Sequence, residues 1–261
     1  MVYKMKNYIT LILLWIGSSV CAQQTIEVGK RYAFESKNLK DSVEVWVNLP
    51  ENYSDTKKYP VIYVLDAEAN FTFLTSVLAK FQSGFYPVTP EFIIVGLPNL
   101  DFNRAEIFSE SKKENFTLYL KNEVLPWVKN HYSTNDFKML IGHSLSGFYA
   151  IDLLFHQPEM FNIYVAHDPS IWKNEFELLK LYQDASNRNF QNRKLYITQV
   201  GEKQHTESLH DHYTSIKKMD EVLKSMQNSS LDYHYRQYAE EEHSSNQMIG
   251  NMDVLRYSFA E

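Results

Sequence analysis

Gly142-His143-Ser144-Leu145-Ser146-Gly147 stands between an apolar run, Lys138–Ile141, and an amphipathic one, Phe148–Phe155. The first run reads as a strand buried on both faces and the second as a helix. Small residues two before and two after Ser144 are what a sharp strand-to-helix turn demands, because larger side chains would collide across it. Such a turn lifts its central side chain above the sheet, so Ser144 is a candidate nucleophile. A plain helix N-cap would account for the serine alone. It would leave three small neighbours without a reason.

The rest of the chain fits a fold that uses such a turn. Ser42–Leu49 alternates, with Val43, Val45, Val47 and Leu49 facing inward and Trp46 outward, as a half-buried strand does. Apolar runs at Val61–Leu65, Phe92–Val95, Ile163–Ala166, Lys194–Val200 and Leu231–Tyr238 read as further strands. Helical spacing falls at Phe71–Phe81, Phe116–Asn130, Glu175–Asp184, Tyr213–Met226 and Met252–Ala260. Pro126 should kink the second of these or begin a new turn. Strands alternating with helices predict an α/β fold, a mostly parallel sheet covered on both faces. In such sheets functional residues leave the carboxyl ends of strands, after Leu65, Val95, Ile141, Ala166, Val200 and Tyr238.

Residues 1–22 carry Lys4 and Lys6, an apolar stretch from Tyr8 to Ile16, and small residues ending at Ala22. That is the three-part pattern of a secretory signal peptide. The stretch is too short to span a bilayer comfortably, and no Leu lies three residues before Cys21 as a lipidated cysteine would need. The expected organisation is a signal peptide over 1–22 and one domain over 23–261, in a bacterial periplasmic or secreted protein. Cleavage after Ala22 removes the single cysteine, and with it any disulfide, thiol nucleophile or thiolate metal site. A net charge of −6 gives no reason to expect nucleic acid or an anionic membrane as partner.

A serine needs a base. Of nine histidines, His243 follows the last expected strand in "AEEEHSSNQ", where a loop can swing an imidazole over the strand ends. His143 lies inside the turn and points the wrong way, and His131, His156 and His234 sit in helical or strand segments. A carboxylate is expected after the strand ending at Val200, where "VGEKQHTE" offers Glu202 first and Glu207 next. Asp168, after Ala166, is a further candidate. His205, His210, Asp211 and His212 in "QHTESLHDH" lack the spacing of a metal site, so no metal and no cofactor is expected; a solvated acidic lid is.

The ordered pieces "VNLPENY", "YPVIYVLDAE", "IIVGLPN" with Arg104, "EVLPWV", "IGHSLSGFYAI", "PEMFNIYVAHDPSIW" and "EEHSS" run from about Val43 to His243. In these the chain resembles the putative-esterase family of α/β-hydrolases, which includes siderophore esterases and relatives of formylglutathione hydrolase and the mycolyltransferases. The resemblance implies an α/β-hydrolase fold and a serine esterase with Ser144 as nucleophile and His243 as general base. Backbone N–H groups of Leu145 and of Ala67 or Glu68 would form the oxyanion hole, Asp66 would brace that loop, and Trp172 would wall the substrate pocket. Two residues depart from the family pattern: Ser146 stands where glycine is usual, and Gln204 where many relatives have an acid. Some siderophore esterases work with a serine–histidine dyad. The expected substrate is an ester of a small molecule, siderophore or polysaccharide; the rival readings are acyl transfer at the same site and a non-catalytic binding relative.

Overall fold

The computed structural model describes residues 27–83, 85, 87–99, 108, 110–172, 188–202 and 210–259. Its eight strands are β1 (Lys30–Ser36), β2 (Asp41–Asn48), β3 (Tyr59–Leu65), β4 (Ile93–Leu97), β5 (Thr134–His143), β6 (Ile163–His167), β7 (Arg193–Val200) and β8 (Leu231–Tyr238). They form one sheet in the order β1-β2-β4-β3-β5-β6-β7-β8. β1 pairs antiparallel with β2, and β2 with β4; all other neighbours are parallel.

The all-buried strands explain the apolar runs. Val61, Tyr63 and Leu65 face one core, together with helices α2 (Glu110–Tyr119), α3 (Leu125–His131), α4 (Leu145–His156) and α5 (His210–Ser225). Ile62 and Val64 face the other, against α1 (Ala67–Phe81) and α6 (Asn246–Phe259). Alternate side chains of a strand go to opposite faces, so a strand covered on both must be apolar throughout.

Three local differences from expectation have physical causes. β1 is not foreseen by the apolar pattern, which Lys30, Arg31 and Glu35 break; pairing with β2 at the sheet edge holds it. Trp46 is buried rather than outward, because Phe71 of α1 packs edge-on against it. Pro126 stands in the first turn of a new helical segment, α3, as one of the two expectations had it; the difference lies just before it. The turn ahead of it, Leu120–Val124, widens to a π-helix, which accommodates the missing N–H and the crowded ring. The expected helix at Glu175–Asp184 and the signal peptide lie outside the described residues.

Candidate active site

β5 ends at His143 and α4 begins at Leu145, leaving Ser144 alone between them. Its φ of 59° and ψ of −115° are conformations a non-glycine residue keeps only when its surroundings impose them. The surroundings are visible. Ser144 N–H donates to the His167 carbonyl at 2.9 Å, and the Ser144 carbonyl accepts from Ser170 N–H at 3.0 Å. A Cβ on Gly142 would stand 2.2 Å from the Ser146 carbonyl oxygen. Backbone cannot yield as a flexible side chain can, so Gly142→Ala is expected to cost about 1–3 kcal/mol or more. Thermal unfolding should show the loss, and Ser144 should lose reactivity with it; unchanged stability would mean the turn relaxes freely.

The imidazole arrives from the loop after β8. His243 Nδ1 lies 2.5 Å from Asp168 Oδ2. A carboxylate only accepts, so Nδ1 carries the proton and Nε2 is the basic nitrogen. Asp168 leaves the end of β6 with φ 42° and is fully buried. Its Oδ1 accepts from Val200 N–H at 3.2 Å, and its Oδ2 accepts also from His212 Nε2 at 3.2 Å. Burial pushes this carboxyl up, but the bonds from His212 and His243 outweigh burial and hold it well below the usual carboxylate range.

The carboxylate on His243 is therefore Asp168 and not Glu202. Asp168 is bonded to the end of β7 itself, which leaves Glu202 one step further out, exposed to solvent. The single Nδ1 of His243 is already occupied. Glu207 and Gln204 lie outside the described residues, as does Arg104. His212 is not part of a solvated lid: it is buried on α5, aimed at Asp168. His212, His243 and Asp168 bring three possible metal-ligating atoms within 4.8 Å of one another, and hydrogen bonds among them account for that closeness.

Sequence reasoning also missed two supports. Ser144 Oγ lies 3.1 Å from Ser170 Oγ, and among the described residues this, not His243, is its hydrogen-bond partner. His143 is no base, but it braces the site. Its Nε2–H donates to the His243 carbonyl at 2.7 Å, tying the turn to the loop that carries the imidazole. "HS" in a strand-to-helix turn was the available signal, with no way to see the long-range acceptor. Trp172 is 41% exposed, so it is not a core aromatic.

Ala67 and Leu145 each open a helix, where the leading N–H groups lack intrahelical acceptors and the dipole is positive. Asp66, before Ala67, has φ 51°, and its Oδ2 accepts from Ser146 Oγ at 2.6 Å. Leu65 and Asp66 also wall a cavity of about 170 Å³ with Leu97, Phe108, Phe116 and Tyr119.

Two rings near the site, His143 half-buried and His167 fully buried, oppose protonation. Burial, and then His243 alongside, brings His143 down to about 3; burial brings His167 down to about 4. Both folded values lie below the unfolded one, so their stabilising contribution is complete above about pH 6.5 and is lost as pH falls through them. For fully buried His167, pushed from 6.5 to about 4, the loss is on the order of 3 kcal/mol. The melting temperature should fall steeply between pH 6.5 and 4, and His167→Gln should flatten that limb; an equally steep limb would assign the acid sensitivity elsewhere.

A family model described as "Putative esterase" matches residues 36–254. The chain belongs to that esterase family. Among proteins similar to it is the ferri-bacillibactin esterase BesA of Bacillus subtilis (strain 168), 25% identical over 174 residues, with 56% of this chain and 60% of BesA covered. The match thus spans about three fifths of BesA. Of solved structures, an IroE-like serine hydrolase from Shewanella oneidensis superposes with TM-score 0.82 at 25% identity, covering 88% of this chain and 80% of that one. The siderophore hydrolase EstB from Aspergillus nidulans shares the fold with TM-score 0.77 at 18% identity, covering 91% and 96%. The fold of this esterase-family chain is the α/β-hydrolase fold, with Ser144 on the loop after β5.

Proposed function

We propose that this chain is a serine esterase that cleaves a carboxylic ester through an acyl-enzyme on Ser144. One observation carries the reading: a strained serine on the β5–α4 turn shares the strand ends with an Asp168–His243 pair. His243 Nε2 takes the Ser144 proton as Oγ bonds to the carbonyl carbon, then returns it to the leaving alcohol. Water, deprotonated the same way, releases the acid. Asp168 holds the tautomer and steadies the imidazolium, and the N–H groups of Leu145 and Ala67 receive the oxyanion. Ser144 Oγ exchanges Ser170 Oγ for His243 when substrate binds, such alignments commonly tightening only in the complex.

The substrate we propose is a siderophore ester with an aromatic acyl group. BesA is named a ferri-bacillibactin esterase and EstB a siderophore hydrolase. The cavity at Asp66 is near the size of voids that take up a benzene ring, and it is lined mostly by apolar side chains. The test is a panel of acetyl, butyryl, feruloyl and catecholate esters on the native protein and on Ser144→Ala. Aromatic esters should give the highest kcat/KM; no turnover of any ester, with no labelling by a fluorophosphonate, would leave only a binding role. Adding candidate alcohols tests acyl transfer, which should stay minor beside hydrolysis. We also propose that the protein acts outside the cytoplasm, and its mature form should begin at Gln23.

A further inference from the structure

We infer that Ser146 is a positioning residue: its hydroxyl clasps the turn carrying the nucleophile to the loop carrying the second oxyanion donor. The inference rests on the esterase reading above. Serine is unusual here, since this turn ordinarily has glycine two residues after its nucleophile. The close approach that requires smallness falls instead on Gly142, whose absent Cβ makes room for the Ser146 carbonyl. The Ser146 side chain is fully buried and engaged on both sides. Its Oγ accepts from His143 N–H at 2.8 Å and lies 2.6 Å from Asp66 Oδ2 and 2.9 Å from the His143 carbonyl. A hydroxyl has one proton, and the shorter contact to the carboxylate takes it.

Asp66 supplies the other half of the clasp. It is the residue before α1, where an aspartate ordinarily turns back to cap its own helix. This one makes no side-chain cap bond and adopts φ 51°, ψ 51°. Its carboxylate reaches across to the other turn instead. β3 and β5 are paired neighbours, with Val64 opposite Ile141, so the clasp joins the loops leaving two adjacent strands. Those loops carry Ala67 and Leu145, whose N–H groups must aim at one oxygen. Small misplacements of such donors are costly in rate.

The experiment measures kcat and KM for Ser146→Ala, Ser146→Gly, Asp66→Asn and the double variant Ser146→Ala/Asp66→Asn. Each Ser146 variant should lose about 10- to 100-fold in kcat, with KM within about twofold, as expected for an aim that matters only in the transition state. The double variant should be no worse than the poorer single one, because both break the same link. Amide exchange at the start of α1, which needs no turnover, should quicken in Ser146→Ala. An unchanged kcat, a multiplicative double variant, or a lowered melting temperature with full activity would each overturn the clasp. A native protein inactive on every ester would sink the esterase reading instead, and unchanged exchange would then sink the clasp separately.

Discussion

Ester hydrolysis should fall by about 10⁵-fold or more when Ser144 is replaced by alanine, the size of loss that follows removal of a serine nucleophile. In the proposed mechanism its hydroxyl forms the covalent bond to the acyl group. Ser144 keeps its φ of 59° while its backbone is bonded to His167, Ser170 and Phe148. What survives would come from the oxyanion donors and substrate binding. Fluorophosphonate labelling should vanish together with activity. The same strain gives a second readout. Glycine adopts φ 59° without a Cβ clash, so Ser144→Gly should be more stable than Ser144→Ala, by about 1–3 kcal/mol. Retention of more than a few per cent of activity in Ser144→Ala would move the chemistry to another hydroxyl, with Ser170 Oγ the neighbour at 3.1 Å.

Ser144 was legible because its constraints are local. Gly142 must be small for the Ser146 carbonyl 2.2 Å from its absent Cβ, and the apolar run before it must be a strand for the turn to exist. His243 was legible for a related reason: it follows the last strand, and strand ends are where such a sheet places its chemistry. Asp168 was only one candidate among three, because the choice of carboxylate is made by tertiary distance. Nothing along the chain says that the loop after β8 leans over β7 to the end of β6. The same blindness hid His212, which sits in an acidic, polar stretch and is buried only because α5 packs beside β7 and β8. Trp46 in an alternating strand read as outward; the ring that covers it, Phe71, is on a helix in a different part of the sequence.

Asp168→Asn should lower kcat by about 10⁴-fold, while Glu202→Gln should change it by no more than about twofold. The carboxylate holds the proton of His243 on Nδ1; in the proposed mechanism this leaves Nε2 to act as base, and the carboxylate charge steadies the imidazolium of the transition state. An amide offers neither a reliable acceptor nor a charge. Asp168 also accepts from Val200 N–H and His212, so the asparagine variant will lose stability as well. The two effects separate on rates measured well below the melting temperature: a fold defect lowers the active fraction by a few-fold, whereas a misoriented base slows every folded molecule. His212→Gln should be mild, a few-fold at most, because His243 keeps its own bond to Oδ2. Its melting curve should shift more than its kcat, since a buried ring is being replaced beside a buried charge. The reverse pattern, with Glu202→Gln inactive and Asp168→Asn near native, would mean that the His243 ring turns to the β7 loop during turnover and that the bond seen here belongs to a resting arrangement.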